Sequence, residues 1–149
     1  MNLKDVINAW DVLEKVGKPE LTFTLHKGNE TTLNTIIGLV ESMPSFNNKN
    51  NQVVARELKS LIEALPKKYF NEGNRNNGEY LLNQITLRGD DTILLRGVKT
   101  KTEETKNDLE KIKGLVKSFK IETEADETQV QCEEYGYNMQ EIKIRLWWD

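Results

Sequence analysis

The stretch Glu141-Ile142-Lys143-Ile144-Arg145-Leu146-Trp147-Trp148 alternates apolar and polar side chains more cleanly than any other part of the chain. Ile142, Ile144, Leu146 and Trp148 fall on one side, and Glu141, Lys143, Arg145 and Trp147 on the other. A period of two marks a strand with one buried face. Working back, residues 128–133 keep the same period, with Val130 and Cys132 in phase. Tyr135-Gly136-Tyr137-Asn138 lies between the two runs and reads as a turn. Before this pair the period changes to that of a helix over 102–119, where Leu109, Ile112, Val116 and Phe119 share a face. Glu103 and Glu104 open that helix and Lys117 sits in its last turn, an order that suits the helix dipole. Further back, 80–87 and 92–98 are strand-like on either side of Arg88-Gly89-Asp90-Asp91, a hairpin signal. The second half therefore reads hairpin–helix–hairpin.

The first half is mainly helical. Leu3, Val6, Ile7, Trp10 and Leu13 make one apolar stripe; Asn2 is the candidate N-cap, and Gly17 with Pro19 marks the stop. Residues 21–25 alternate as a short strand, followed by a turn at Lys27-Gly28-Asn29. Helices are expected over 30–43, closed by Pro44, and over 52–65, closed by Pro66. The asparagine-rich stretches 47–51 and 67–78 read as loops. Helices first and strands later predict an α+β fold, with about four helices packed on one face of an antiparallel sheet made of β-hairpins. The 149 residues suit one domain. The alternative division is a mainly helical 1–66 and a hairpin–helix–hairpin 79–149, each with a small core.

Composition narrows the function. Hydrophobic residues make up 37% and charged residues 30%, with a net charge of -3, which is polar but not disordered in character. No run approaches the roughly 20 apolar residues that span a bilayer. The N-terminus carries Asp5 at once and lacks an apolar signal region. The single cysteine allows no internal disulfide. The expected compartment is the cytoplasm.

Little points to catalysis. His26 is the only histidine, and it sits on the polar side of a strand beside a turn, where a solvated surface role is expected. Cys132 is flanked by Glu133 and Glu134, whose charges oppose a reactive thiolate. A structural zinc site needs about four Cys or His ligands, more than the chain holds. Glu122, Glu124, Asp126 and Glu127 lack the pattern of a calcium loop, and Asp90-Asp91 is ordinary turn chemistry. No phosphate-binding glycine loop is present. No cofactor or metal is expected. Carboxylate or metal catalysis is the third-ranked function, because no spacing singles out a pair of acids.

Charge is segregated. Lys99, Lys101, Lys106, Lys111, Lys113, Lys117 and Lys120 outnumber the acids between 99 and 120. From 121 onward acids dominate, with only Lys143 and Arg145 against them. A solvated helix face partly paired with the acidic segment is the plain expectation. A nucleic-acid patch on Lys106, Lys111, Lys113, Lys117 and Lys120 is the alternative, weakened by interleaved acids and by the absence of arginine from the helix. Acids that engage a basic or nucleic-acid-binding protein partner are favoured over it. Trp147 and Trp148 must point to opposite sheet faces, so one indole is exposed unless something covers it. The hairpin from 128 to 149, with Glu133, Glu134, Tyr135, Tyr137, Trp147 and Trp148, is the preferred binding surface. An uncovered C-terminal edge strand would also allow pairing with a second copy.

The opening Met1-Asn2-Leu3-Lys4, the run Val6-Ile7-Asn8-Ala9-Trp10-Asp11-Val12-Leu13 and the following Lys18-Pro19-Glu20-Leu21 resemble small accessory proteins of phages and mobile elements of low-GC bacteria. The likeness covers under a third of the chain. It implies a binding or inhibitory role toward a host protein and transfers no functional residue. The expected function is a non-enzymatic protein-binding module.

Overall fold

The computed structural model describes residues 2–17, 19–25, 30–42, 50–66, 83–89, 91–100, 105–134 and 139–148. The first helix, α1 (Leu3–Lys15), starts where the sequence signals it, with the Asn2 side chain accepting from the Asp5 amide at 2.9 Å. Strand β1 (Glu20–Leu25) follows, then helices α2 (Glu30–Ser42) and α3 (Asn51–Ala64). Asn50 caps α3 by accepting from the amides of Gln52 and Val53. The second half contains β2 (Asn83–Arg88), β3 (Thr92–Thr100), α4 (Thr105–Thr123), β4 (Glu127–Glu134) and β5 (Met139–Trp147). The fold is α+β, as the residue patterns predict.

Among the described residues the strands form one five-stranded sheet in the order β1-β2-β3-β5-β4, with every neighbouring pair antiparallel. This order corrects the expectation of a C-terminal edge strand. β5 lies inside the sheet, and β4 is an edge. The reason is apolar content. Ile142, Ile144 and Leu146 are fully buried, whereas Val130 and Cys132 on β4 are only partly so. A strand with an unbroken apolar row gains most by pairing on both sides.

Register aligns the inner face into rows. Phe23, Ile85, Leu95, Ile144 and Val130 form one; Leu21, Leu87, Ile93, Leu146 and Thr128 form the next. The helices cover these rows in chain order. α1 and α2 lie against β1, α3 lies between α2 and α4, and α4 lies against β4. Among the described residues, buried side chains from Val6 to Trp148 join in one cluster.

Two junctions hold this arrangement. The β2–β3 hairpin closes with Arg88 opposite Thr92. Asp91, just before β3, takes a left-handed φ of 60°, a conformation that asparagine and aspartate tolerate in turns. Gly89 donates to the Pro19 carbonyl at 2.8 Å, and a Cβ there would overlap the Pro19 ring. The other junction is the end of α4, which runs four residues beyond the expected stop at Phe119. The Thr123 hydroxyl donates to the Phe119 carbonyl at 2.8 Å, and Glu124 takes a left-handed φ of 56°, so the turn that ends the helix forms later than the apolar stripe suggests.

Candidate functional site

The two C-terminal tryptophans separate as strand geometry requires. Trp148 is 1% exposed. Its ring meets Phe119 edge-on at 5.9 Å, and its indole N–H donates to the Thr123 carbonyl at 3.1 Å. Trp148 therefore belongs to the core, and the expectation that it touches a partner is corrected. The end of α4 covers that indole through Phe119 and Thr123, which keeps it from the surface. Trp147 lies on the outer face, half-buried, with the Arg145 guanidinium 5.2 Å from its ring centre. Glu133 and Glu134 are exposed at the far end of β4. Tyr135 and Tyr137 lie outside the described residues, as do His26 and Asp90.

The outer face also holds a charge arrangement that the linear sequence conceals. Register places Arg96 directly opposite Lys143, and Glu133 directly opposite Glu141. Like charges in directly opposite positions repel. The diagonal contact resolves both repulsions. Arg96 reaches Glu141 with Nε at 2.8 Å and Nη2 at 2.7 Å from Oε2, and Lys143 Nζ lies 3.9 Å from Oε1. Glu141, expected on the polar face, is buried there. One of the acids counted toward an acidic hairpin is thus already neutralised.

The lysines of α4 do not act as one set. At about 100° per residue, Lys106, Lys113, Lys117 and Lys120 form a stripe beside the buried face, and Lys111 projects from the opposite flank. Lys113, Lys117 and Lys120 line a groove of 440 Å³ between α4 and β4, floored by Val116, Thr128 and Val130 and flanked by Ile121. Ile121 is 68% exposed. Among the described residues Lys117 and Lys120 have no ion-pair partner, while Lys113 lies 3.8 Å from Glu110. A second hollow of 340 Å³ is lined by Lys120, Glu127, Thr128, Gln129, Arg145 and Trp147. Lys120 and Thr128 line both, so the depression passes from the α4 side round the start of β4 to Trp147. Sequence reasoning missed the groove because it depends on which strand is the edge.

Cys132 faces the helix layer from this edge strand, half-buried. Burial pushes its thiol pKa up, and the Glu134 and Glu133 carboxylates push it further in the same direction. The thiol thus stays protonated at neutral pH. Its alkylation rate in the folded protein should rise at higher pH than in the urea-unfolded chain, and Glu134→Gln should shift the profile back down. A folded-state profile at or below that of an ordinary thiol, about 8.5, would contradict this placement. Linkage has a definite sign. The unfolded thiol ionises first, so the contribution to stability is complete below the ordinary thiol pKa and is lost as pH rises through the folded value.

Among the described residues no three His, Cys, Asp or Glu side chains converge as metal ligands would. Glu122, Glu124, Asp126 and Glu127 are all exposed around the α4–β4 turn. No helix among those residues is long and apolar enough to cross a membrane. Comparison with protein-family models, with curated proteins and with solved structures finds no match to this chain. The functional reading therefore rests on the geometry of the β4 edge.

Proposed function

We propose that the chain is a non-enzymatic protein-binding module whose partner engages the β4 edge of the sheet. One observation carries this reading. Among the described residues β4 ends the sheet, and a lined groove runs between it and α4. An edge strand offers a row of unpaired backbone N–H and C=O groups, which proteins otherwise cover or blunt. Trp147 with Arg145 stands at one end of this edge, and Glu133 and Glu134 stand at the other. Glu133 and Glu134 are exposed and Trp147 is half-buried, whereas Trp148 is buried. The likeness of the opening residues to phage accessory proteins supports a host protein as the partner and an inhibitor or adaptor as the role.

The test is affinity capture from a host lysate with the wild type and with the triple variant Trp147→Ala/Glu133→Lys/Glu134→Lys. These three side chains lie at the surface or half-buried, so the variant should fold. A protein partner retained by the wild type and lost at least about tenfold by the variant supports the reading. Equal retention by both would remove the β4–β5 hairpin from consideration. Recovery of nucleic acid alone would favour the lysine stripe as a nucleic-acid surface.

A further inference from the structure

We infer that the groove between α4 and β4 accepts an extended peptide segment that adds to β4 as a further strand and turns acidic and apolar side chains toward α4. The inference rests on the protein-binding reading and specifies the chemistry of the partner. Its grounds are edge geometry, the lining of the groove and charge.

β4 is eight residues long and lies at the end of the sheet. None of its residues is fully buried, although Thr128, Val130 and Cys132 point toward the helix layer. On β5, the neighbouring inward residues Ile142, Ile144 and Leu146 are completely covered. α4 therefore lies against β4 without fully covering its inward side chains. A segment paired with β4 would enter the groove and would be covered by α4 on one side. Strand addition of this kind draws affinity from main-chain hydrogen bonds and specificity from alternate side chains.

Alternation gives the segment two different faces. Side chains on the α4 side meet Val116, Val130 and Ile121, rimmed by Lys113, Lys117 and Lys120. Among the described residues the groove lining contains no carboxylate. Apolar side chains and carboxylates match that surface. Side chains on the outer side lie beside Glu127, Gln129, Gln131 and Glu133. Cationic or neutral polar groups match those. The fitting sequence alternates aspartate, glutamate or valine with lysine, glutamine or threonine.

The same charges argue against a second copy of this chain as the occupant. Antiparallel pairing of β4 with itself about a two-fold axis brings Glu127 of each strand against the Glu133–Glu134 end of the other. Like charges face each other at both ends of such a ribbon, which is a device that keeps edges apart.

The experiment uses the full chain and fluorescent peptides of the length of β4. One peptide places aspartate and valine on alternate positions with lysine and threonine between them. Its charge-swapped counterpart exchanges aspartate and lysine. Anisotropy is measured against the wild type and against Lys113→Glu/Lys117→Glu/Lys120→Glu, all three at exposed positions. Hydrogen exchange follows the amides of 127–134. The first peptide should bind, should protect those amides, and should lose at least about tenfold in affinity with the triple reversal. The swapped peptide should prefer the reversed variant. Binding that ignores the reversal, equal binding of both peptides, or absence of protection in β4 would each overturn the inference. So would self-association through β4, or binding of a single-stranded oligonucleotide but neither peptide. If a lysate partner depends on Trp147, Glu133 and Glu134 while both peptides fail, the partner chemistry falls and the protein-binding reading stands.

Discussion

Trp148→Ala should lower the unfolding free energy by about 3–5 kcal/mol, the range for removing a buried aromatic ring. Three separate connections end at this residue. Its ring packs edge-on against Phe119, its indole N–H satisfies the Thr123 carbonyl at the end of α4, and its backbone N–H donates to the Asp91 carbonyl in the β2–β3 turn. The alanine variant leaves a void and a buried helix-end carbonyl without its donor. A domain of this size has roughly 5–15 kcal/mol in total, so the variant would be close to unfolding. Trp148→Phe should cost less, because it keeps a ring beside Phe119 and loses chiefly the N–H. Trp147→Ala, one residue away on the outer face, should change stability by no more than about 1 kcal/mol, the scale of an exposed cation–π contact. Urea denaturation followed by circular dichroism measures all three. Equal losses at 147 and 148, or a loss below about 1 kcal/mol for Trp148→Ala, would refute the assignment of the two faces.

That pair also shows how far the sequence can be read. Alternation over 141–148 is enough to place the two indoles on opposite faces, since a strand permits nothing else. Which face is covered is a tertiary fact. It follows from α4 lying over β4, and no local pattern encodes it. The helices were legible for the same reason as the strands. Asn2 signals the start of α1, and apolar residues recur at helical spacing in α1 and α3, although Asn50, the cap of α3, falls in a stretch that reads as loop. The end of α4 was not legible, because it depends on a hydroxyl–carbonyl bond and a left-handed residue beyond the last apolar position. Strand order was hidden more deeply. A hairpin signal says that β4 and β5 pair, but not which of them then meets β3. Nothing in 128–133 alone announces an edge except its thinner apolar content, with Thr128 in the row that Leu146 occupies on β5.

The candidate site was legible in parts. The lysines were visible as a run, but only helix phase separates Lys106, Lys113, Lys117 and Lys120 from Lys111, and only the position of β4 makes three of them the rim of a groove. The acidic character of the last third was overcounted for a related reason. Linear counting treats Glu141 as a surface charge, whereas register hands it to Arg96, a residue 45 positions earlier.

Removal of Arg96 is the second large expected effect. Arg96→Met should cost about 2–3 kcal/mol, below the roughly 3–5 kcal/mol seen when a fully buried pair is broken. Two features set that discount. The Arg96 side chain is 34% exposed, and Lys143 remains 3.9 Å from the second carboxylate oxygen. The loss is still large because the Glu141 side chain is only 9% exposed and lies directly opposite Glu133. Without the guanidinium, a desolvated carboxylate faces a second carboxylate. Glu141→Leu should be milder, about 1 kcal/mol, because Arg96 can turn its charge to water and the Glu133 repulsion disappears along with the pair. The double variant Arg96→Met/Glu141→Leu should resemble Glu141→Leu rather than the sum of the two, since the cost of Arg96→Met is the charge it strands. Denaturant midpoints for the three variants decide the matter. Additive losses, or a Glu141→Leu loss equal to that of Arg96→Met, would mean that the diagonal contact does not offset the two opposed like-charge pairs.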